Sequence, residues 1–311
     1  MRPNIRGSLG GFLTCGLLIT GAVIVGHDGN EKPGLPSGPY VALGDSYTAG
    51  PGIPAKRGSP AGCERSDHNY PALVADSFDV RAGDFHDVRC SGATVTDLTA
   101  PQTTSDGTNP PQLSALSERT RLVTLGIGGN DIGFGAMIKR CVGAGALYRI
   151  LGGGKYLPEE APCKRQYLSH GTDEVQRRID STGERLTSAL RDIRRRAPRA
   201  HVYVVGYPEI LPSDSGACLR SMFLAPGDVM FLREEEQRLN TMLRERAEAG
   251  GADYVDTFTP SRGHGACAAA DVRWIEPLTP AAPAAPVHPN AHAERGMADA
   301  VVSALKKALT K

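Results

Sequence analysis

Tyr40-Val41-Ala42-Leu43 is an uninterrupted apolar run stopped by Gly44-Asp45, and this pattern constrains the fold more than any other stretch. A strand without polar alternation is buried on both faces, which is the signature of a parallel sheet. Comparable runs recur at Phe85–Val88, Leu122–Ile127, His201–Val205 and Tyr254–Val255, and long helical patterns separate the last three. From Val175 the apolar or small positions Ile179, Thr182, Leu186, Leu190, Ile193 and Ala197 recur at helical spacing, with arginines on the rest of the wheel. A second helix is predicted from about Val229 to Ala249, stopped by Gly250-Gly251, and a third over roughly 291–309. Strands alternating with helices imply one α/β domain over 39–311: a three-layer α/β/α sandwich with a mainly five-stranded parallel sheet.

Residues 135–172 break the rhythm. Rich in glycine and carrying Cys141 and Cys163, they are predicted as a loop insertion stapled by its own disulfide. Pro277–Pro289, with its prolines, reads as extended chain. The Arg-rich segment Arg191–Arg199 reads as a solvated helix face ending at Pro198 rather than a site for anionic headgroups.

The first 38 residues stand outside this pattern. Arg2 and Arg6 precede an uncharged stretch from Gly7 to Gly26, followed by polar residues: the layout of a secretory signal over 1–26. If uncleaved, the stretch is long enough for a membrane anchor. Residues 27–38, rich in Gly, Pro, Asp and Asn, read as a linker. Export makes the cysteine count informative. Setting aside Cys15 inside the apolar stretch leaves six, an even number that implies a disulfide framework. Six cysteines allow 15 pairings and spacing does not choose among them; sequential pairing, Cys63–Cys90, Cys141–Cys163 and Cys218–Cys267, is the expectation. No Cys-x-x-Cys or His-x-x-x-His occurs, so neither zinc nor thioredoxin chemistry is supported.

Thirty-five Lys plus Arg balance 34 Asp plus Glu in the 311 residues, so no strong field exists to recruit nucleic acid. The chemistry is sought instead at the carboxyl ends of the strands, where open α/β sheets place ligands. Ser46, in the first turn after Tyr40–Leu43, stands there. It is either a nucleophile or a cap of the next helix, and the local residues fit both. Cys90-Ser91-Gly92-Ala93-Thr94 and Gly126-Ile127-Gly128-Gly129-Asn130-Asp131 follow two further strands and reach the same edge.

Taken together, Gly44-Asp45-Ser46, Gly92, Gly128-Gly129-Asn130-Asp131 and His288-Pro289-Asn290 resemble, in order, the four blocks of the SGNH (GDSL) hydrolase superfamily. The resemblance spans essentially residues 39–310 and is closest to secreted, three-disulfide actinobacterial lipases and esterases. It implies the SGNH-hydrolase, flavodoxin-like arrangement and hydrolysis of carboxylic esters through an acyl-Ser46 intermediate, without metal or organic cofactor. Ser46 is then the nucleophile and His288 the base, with the amides of Ser46 and Gly92 and the Asn130 side chain as oxyanion donors.

One position departs from the superfamily pattern. The Asp often found three residues before the histidine is replaced by Ala285. A Ser46–His288 dyad with the Ala285 carbonyl orienting the imidazole is the expectation, and Asp271 and Glu276 are the alternative carboxylates. His264, three residues before Cys267, is read as bracing a disulfide loop. A dinucleotide site at Gly126-x-Gly128 lacks its third glycine and would set Asp131 against a phosphate. The rival from another class is a non-catalytic carbohydrate- or lipid-binding module on the same fold. Met137, Ile138, Leu147 and Tyr148, with the exported setting and the family resemblance, point to acyl-lipid esters; transient contact with a membrane or lipid surface and a monomeric state are the further expectations.

Overall fold

Five strands, all parallel, form the sheet in the order β2-β1-β5-β6-β7. They are β1 (Tyr40–Gly44), β2 (Phe85–Asp87), β5 (Leu122–Gly126), β6 (His201–Val205) and β7 (Asp253–Val255). The computed structural model describes residues 37–152, 160–168, 172–216 and 218–310, all within one compact unit over Pro33–Lys311. The expected signal and most of the linker lie outside the described residues. A small antiparallel hairpin, β3 (Gln102–Thr104) with β4 (Gly107–Asn109), is separate from the main sheet.

Register explains why the strands read as continuous apolar runs. Tyr40 pairs with Leu122 and Leu43 with Leu125, so β1 and β5 run side by side in the sheet's centre. Alternate residues then feed two cores. Val41, Leu43, Val123 and Leu125 face one, while Tyr40, Ala42, Leu122 and Tyr203 face the other. The second core is closed by α2 (Tyr70–Ser77) and α8 (Ala291–Leu309), through Tyr70, Val74, Met297 and Val301. The first is closed by α5 (Glu174–Arg196) and α7 (Pro226–Ala249), through Ile179, Leu186, Leu232 and Leu243. Each such side chain taken fully out of water contributes about 1.5–3 kcal/mol. Asp173 caps α5 by accepting from the Gln176 amide at 2.9 Å. The α5 arginines are solvent-facing as expected, and Arg194 Nε also closes off the end of α7 by donating to the Gly250 carbonyl at 2.8 Å.

The stretch predicted as a loop insertion is corrected. Residues Phe134–Ile150 form a 17-residue helix, α3, followed by the single turn α4 (Lys164–Tyr167). Its glycines suggested a loop, but Phe134, Met137, Ile138, Cys141, Gly145 and Tyr148 recur at helical spacing and bury one face. The Cys141–Cys163 disulfide ties α3 to α4, and Asp228 of α7 accepts from the Cys163 and Lys164 amides at 3.0 Å. Cys63 is bonded to Cys90, and Cys218, at the start of α6 (Cys218–Ser221), to Cys267. Pro277–Pro289 carries no helix; a bridge between Ile275 and Pro289 pins its ends together.

Candidate active site

β1 ends in a backbone that only glycine accommodates well. Gly44 has φ +145, and a Cβ there would lie 2.4 Å from the Gly126 carbonyl of β5. The Gln112 amide grips both polar atoms of Gly44, accepting from its N–H at 2.8 Å and donating to its carbonyl at 3.0 Å. The chain then turns into α1 (Ser46–Ala49), a single turn capped by Asp45, whose carboxylate accepts from the Tyr47 amide at 2.9 Å. The cap is therefore Asp45, which leaves the Ser46 hydroxyl free for chemistry. Ser46 is only 8% exposed.

Ser46 Oγ lies 2.9 Å from His288 Nε2, and His288 Nδ1 lies 2.8 Å from the carbonyl oxygen of Pro286. A residue at the end of β1 and another 242 positions later are thus in hydrogen-bond contact. Burial pushes the imidazole below its ordinary pKa of 6.5, while the Pro286 carbonyl works in the opposite direction. The downward direction favours the neutral ring. With Nδ1–H given to Pro286, Nε2 is the acceptor that faces the hydroxyl.

The Ala285 carbonyl is not the orienter. It accepts the backbone amide of His288 at 3.2 Å, closing a tight turn over 285–288. Proline stands second in that turn and Val287, at φ +58, third, the pattern of a type II turn. Such a turn rotates its central peptide, and the Pro286 carbonyl rather than that of Ala285 meets the ring. Neither alternative carboxylate takes that place. Asp271 is exposed. Glu276 is buried and accepts from Asn290 Nδ2 at 2.9 Å and the Ala281 amide at 2.8 Å. Burial alone would raise its pKa, but these hydrogen bonds hold its carboxyl below the usual glutamate range. Its backbone also pairs with the His288 loop, through Glu276 N–H to the His288 carbonyl and Val287 N–H to the Glu276 carbonyl, both 3.0 Å. Glu276 braces the loop.

Gly92 and Asn130 reach the same edge. Gly92 is exposed with φ +80, and the Asn130 side-chain amide donates to the neighbouring Ala93 carbonyl at 2.9 Å. Asp131 fastens these two loops, accepting from the Val95 amide at 3.0 Å and from Arg185 at 3.1 Å. The Cys63–Cys90 bridge stands directly beneath: Cys90 N–H donates to the Gly44 carbonyl at 3.0 Å and Ser91 N–H to that of Cys63 at 3.1 Å. His264 has a different place, stacked on Trp274 with centroids 5.1 Å apart and its Nδ1 on the Val272 carbonyl.

Three side chains at the site went unnoticed in the sequence. Tyr207, two residues past β6, accepts from the Gly129 amide at 2.8 Å and donates to Asp45 at 2.5 Å. Burial drives the Asp45 carboxyl up to about 7, a rise that the Tyr207 hydrogen bond limits. Tyr47 donates from its hydroxyl to the Val287 carbonyl, and its ring lies 5.1 Å from the imidazole. Glu236 of α7 accepts from the Ile210 amide at 3.1 Å, and burial raises its carboxyl well above the usual range. The post-strand position of Tyr207 was the one available signal. Together with Phe134, Ile210 and Leu239 these residues enclose a cavity of about 90 Å³ that opens onto Ser46, Asn130 and His288. A wider groove of about 900 Å³ beside β7 and α8 shares none of its lining with the Ser46 cavity.

Comparison with known proteins agrees with this geometry. The model of the GDSL-like lipase/acylhydrolase family matches residues 42–295. The chain is 42% identical over 268 residues to Lipase 2 of Streptomyces coelicolor, covering 86% of this chain and 85% of that protein. Among solved structures it resembles an extracellular lipase from Streptomyces rimosus, with TM-score 0.68 and 27% identity over 86% of this chain and 100% of that one. It also resembles a phospholipase A1 from Streptomyces albidoflavus, with TM-score 0.67 and 28% identity over 86% and 98%.

Proposed function

The chain belongs to the GDSL-like lipase/acylhydrolase family, and on that premise we propose that it is an exported serine hydrolase that cleaves acyl-lipid esters through an acyl-Ser46 intermediate. The observation that carries this reading is the 2.9 Å contact from Ser46 Oγ to His288 Nε2, with Nδ1 engaged by a carbonyl.

In the proposed reaction His288 Nε2 takes the hydroxyl proton as Oγ bonds to the ester carbonyl carbon. The negative charge that develops on the carbonyl oxygen is met by the amides of Ser46 and Gly92 and by Asn130, which has a second N–H beyond the one given to Ala93. The imidazolium returns its proton to the alkoxide as the ester C–O bond breaks and the alcohol leaves. Water then attacks the acyl-enzyme by the same route, with His288 taking its proton and passing it to Oγ. The Pro286 carbonyl holds the ring in the required tautomer and supports the positive charge that the ring acquires. Export is supported by the charged, apolar and polar sections of residues 1–26 and by the extracellular relative.

Hydrolysis of p-nitrophenyl butyrate by the wild type and by Ser46→Ala tests the assignment. A loss of about 10³-fold or more in kcat is expected for the variant. Equal rates in the two proteins, or hydrolysis by neither, would overturn it.

A further inference from the structure

We propose that the outward stripe of α3, with Phe223 beside it, docks on an anionic lipid surface; the inference rests on the acyl-lipid reading above and names the surface through which the enzyme meets its substrate. The stripe runs through Gly135, Ala136, Lys139, Arg140, Gly143, Leu147 and Ile150, all exposed. The helix contains no acidic residue at all. A helix covering a soluble protein normally turns charges of both signs to water. Here the outward residues are cationic, apolar or small. Leu147 is 54% and Ile150 80% exposed, the latter the highest value among the exposed large hydrophobic side chains of the described residues.

Phe223 extends the patch. Its backbone has φ +54, a conformation that side chains with a Cβ rarely adopt, and it leaves the ring 40% exposed under the Arg149 guanidinium at 5.7 Å. Gly145 explains the closeness of the two segments: a Cβ there would stand 2.0 Å from the Phe223 carbonyl. Gly145 belongs to the buried side of α3, so Phe223 borders the stripe at its flank, where Arg149 covers the ring. The apolar side chains of the stripe and its flank fit an acyl boundary, and Lys139, Arg140 and Arg149 fit anionic headgroups. The same helix begins at the catalytic cavity, where Phe134 and Gly135 line the wall. A lipid engaged along α3, about 25 Å long, lies beside the opening to Ser46.

The test uses the protein without its apolar leader, residues 27–311, of which 33–311 form one compact unit. It is co-sedimentation of that protein carrying Ser46→Ala, which leaves the lipid intact, with phosphatidylcholine vesicles and with vesicles containing about 30% phosphatidylglycerol. Binding to the anionic vesicles that weakens with salt is expected. Leu147→Asp with Ile150→Asp should weaken it by about tenfold or more, and Lys139→Gln by about fivefold. Val272→Asp, an exposed apolar residue elsewhere, should bind unchanged. In proteins that keep Ser46, the α3 variants should hydrolyse soluble p-nitrophenyl butyrate at the wild-type rate, which separates docking from ester chemistry. Absence of vesicle binding, equal binding by the Leu147/Ile150 variant, or a dimer that this variant converts to monomer would overturn the proposal. Loss of soluble-ester hydrolysis in every protein would instead count against the reading of Ser46.

Discussion

The Tyr47 hydroxyl donates a 2.6 Å hydrogen bond to the carbonyl of Val287, so the residue after Ser46 holds the residue before His288. Val287 needs the restraint. It sits at φ +58, and a β-branched side chain in the left-handed region is strained. The bond links α1 to the 285–288 turn, and the tyrosine ring lies against the imidazole at 5.1 Å.

Tyr47→Phe keeps the ring and removes only the hydroxyl. A buried hydrogen bond of this kind contributes about 0.5–1.5 kcal/mol net, and its loss frees the turn that aims His288. We expect kcat on p-nitrophenyl butyrate to fall about three- to tenfold with little change in KM. Val287→Gly relaxes the backbone without restoring the bond, so the double variant should regain stability but not rate. Steady-state kinetics and a thermal melt on the three proteins check this, and an unchanged kcat in Tyr47→Phe would remove Tyr47 from the positioning machinery.

Tyr207 plays the corresponding part beneath Ser46. Tyr207→Phe strands the Gly129 amide and one oxygen of Asp45, and unpaired buried polar groups cost about 1–3 kcal/mol each. The melting temperature should drop by several degrees and kcat should fall, because Gly129 is the neighbour of Asn130. The pH dependence has a definite sign. Asp45 has a folded pKa of about 7, above its ordinary 3.8, so its contribution to stability is complete below about 3.8 and is lost as pH rises through about 7. Removing the phenol, which favours the ionised form, pushes that pKa higher. Stability of Tyr207→Phe should therefore decline more steeply than wild type above pH 7 in thermal melts.

The sheet was legible because central parallel strands are apolar on both faces, and no helix-forming pattern competes with Val123 or Leu125. Ser46 was legible through its address at the end of such a strand. What remained hidden depends on backbone sign or on distant partners. The choice between the Ala285 and Pro286 carbonyls turns on a positive φ at Val287, where the usual glycine signal is missing. Tyr47 and Tyr207 find partners 240 and 162 residues away, a pairing that no local spacing encodes. The helix α3 was obscured by Gly135, Gly143 and Gly145, although Gly145 is there so that the 223–225 segment can approach.

Glu294 offers a test of the buried electrostatics away from the reaction. It lies fully buried at the start of α8, and one carboxylate oxygen accepts from the Tyr70 amide of α2 at 2.6 Å. Burial pushes its pKa from an ordinary 4.5 up to about 8, against the opposing influence of that amide and of Arg89. With the folded pKa raised, the stabilising contribution is complete below about 4.5 and is lost as pH rises through 8. The melting temperature of the wild type should fall between pH 5 and 9. Glu294→Gln keeps an acceptor for Tyr70 and cannot ionise, so its decline over that range should be shallower. Parallel slopes in the two proteins would show that Glu294 does not ionise in the folded state.

The orienting group of His288 gives the sharpest prediction about catalysis. A main-chain carbonyl cannot be protonated in the working range or removed by mutating its side chain, so neither carboxylate nearby should behave as a triad acid. Asp271→Asn should leave kcat within about twofold, whereas removing a true triad aspartate costs about 10⁴. Glu276→Gln is expected to lower stability, because it weakens the acceptor of Asn290, Ala281 and Ala282, while leaving kcat within about tenfold. His288→Ala should be nearly inactive. The acidic limb of kcat/KM should report one group, the imidazole of the free enzyme. Since burial lowers its pKa below 6.5, the neutral, proton-accepting ring persists into mildly acidic solution and the midpoint falls below that value. A 10³-fold or greater loss in Asp271→Asn or Glu276→Gln would replace the Pro286 carbonyl with a carboxylate.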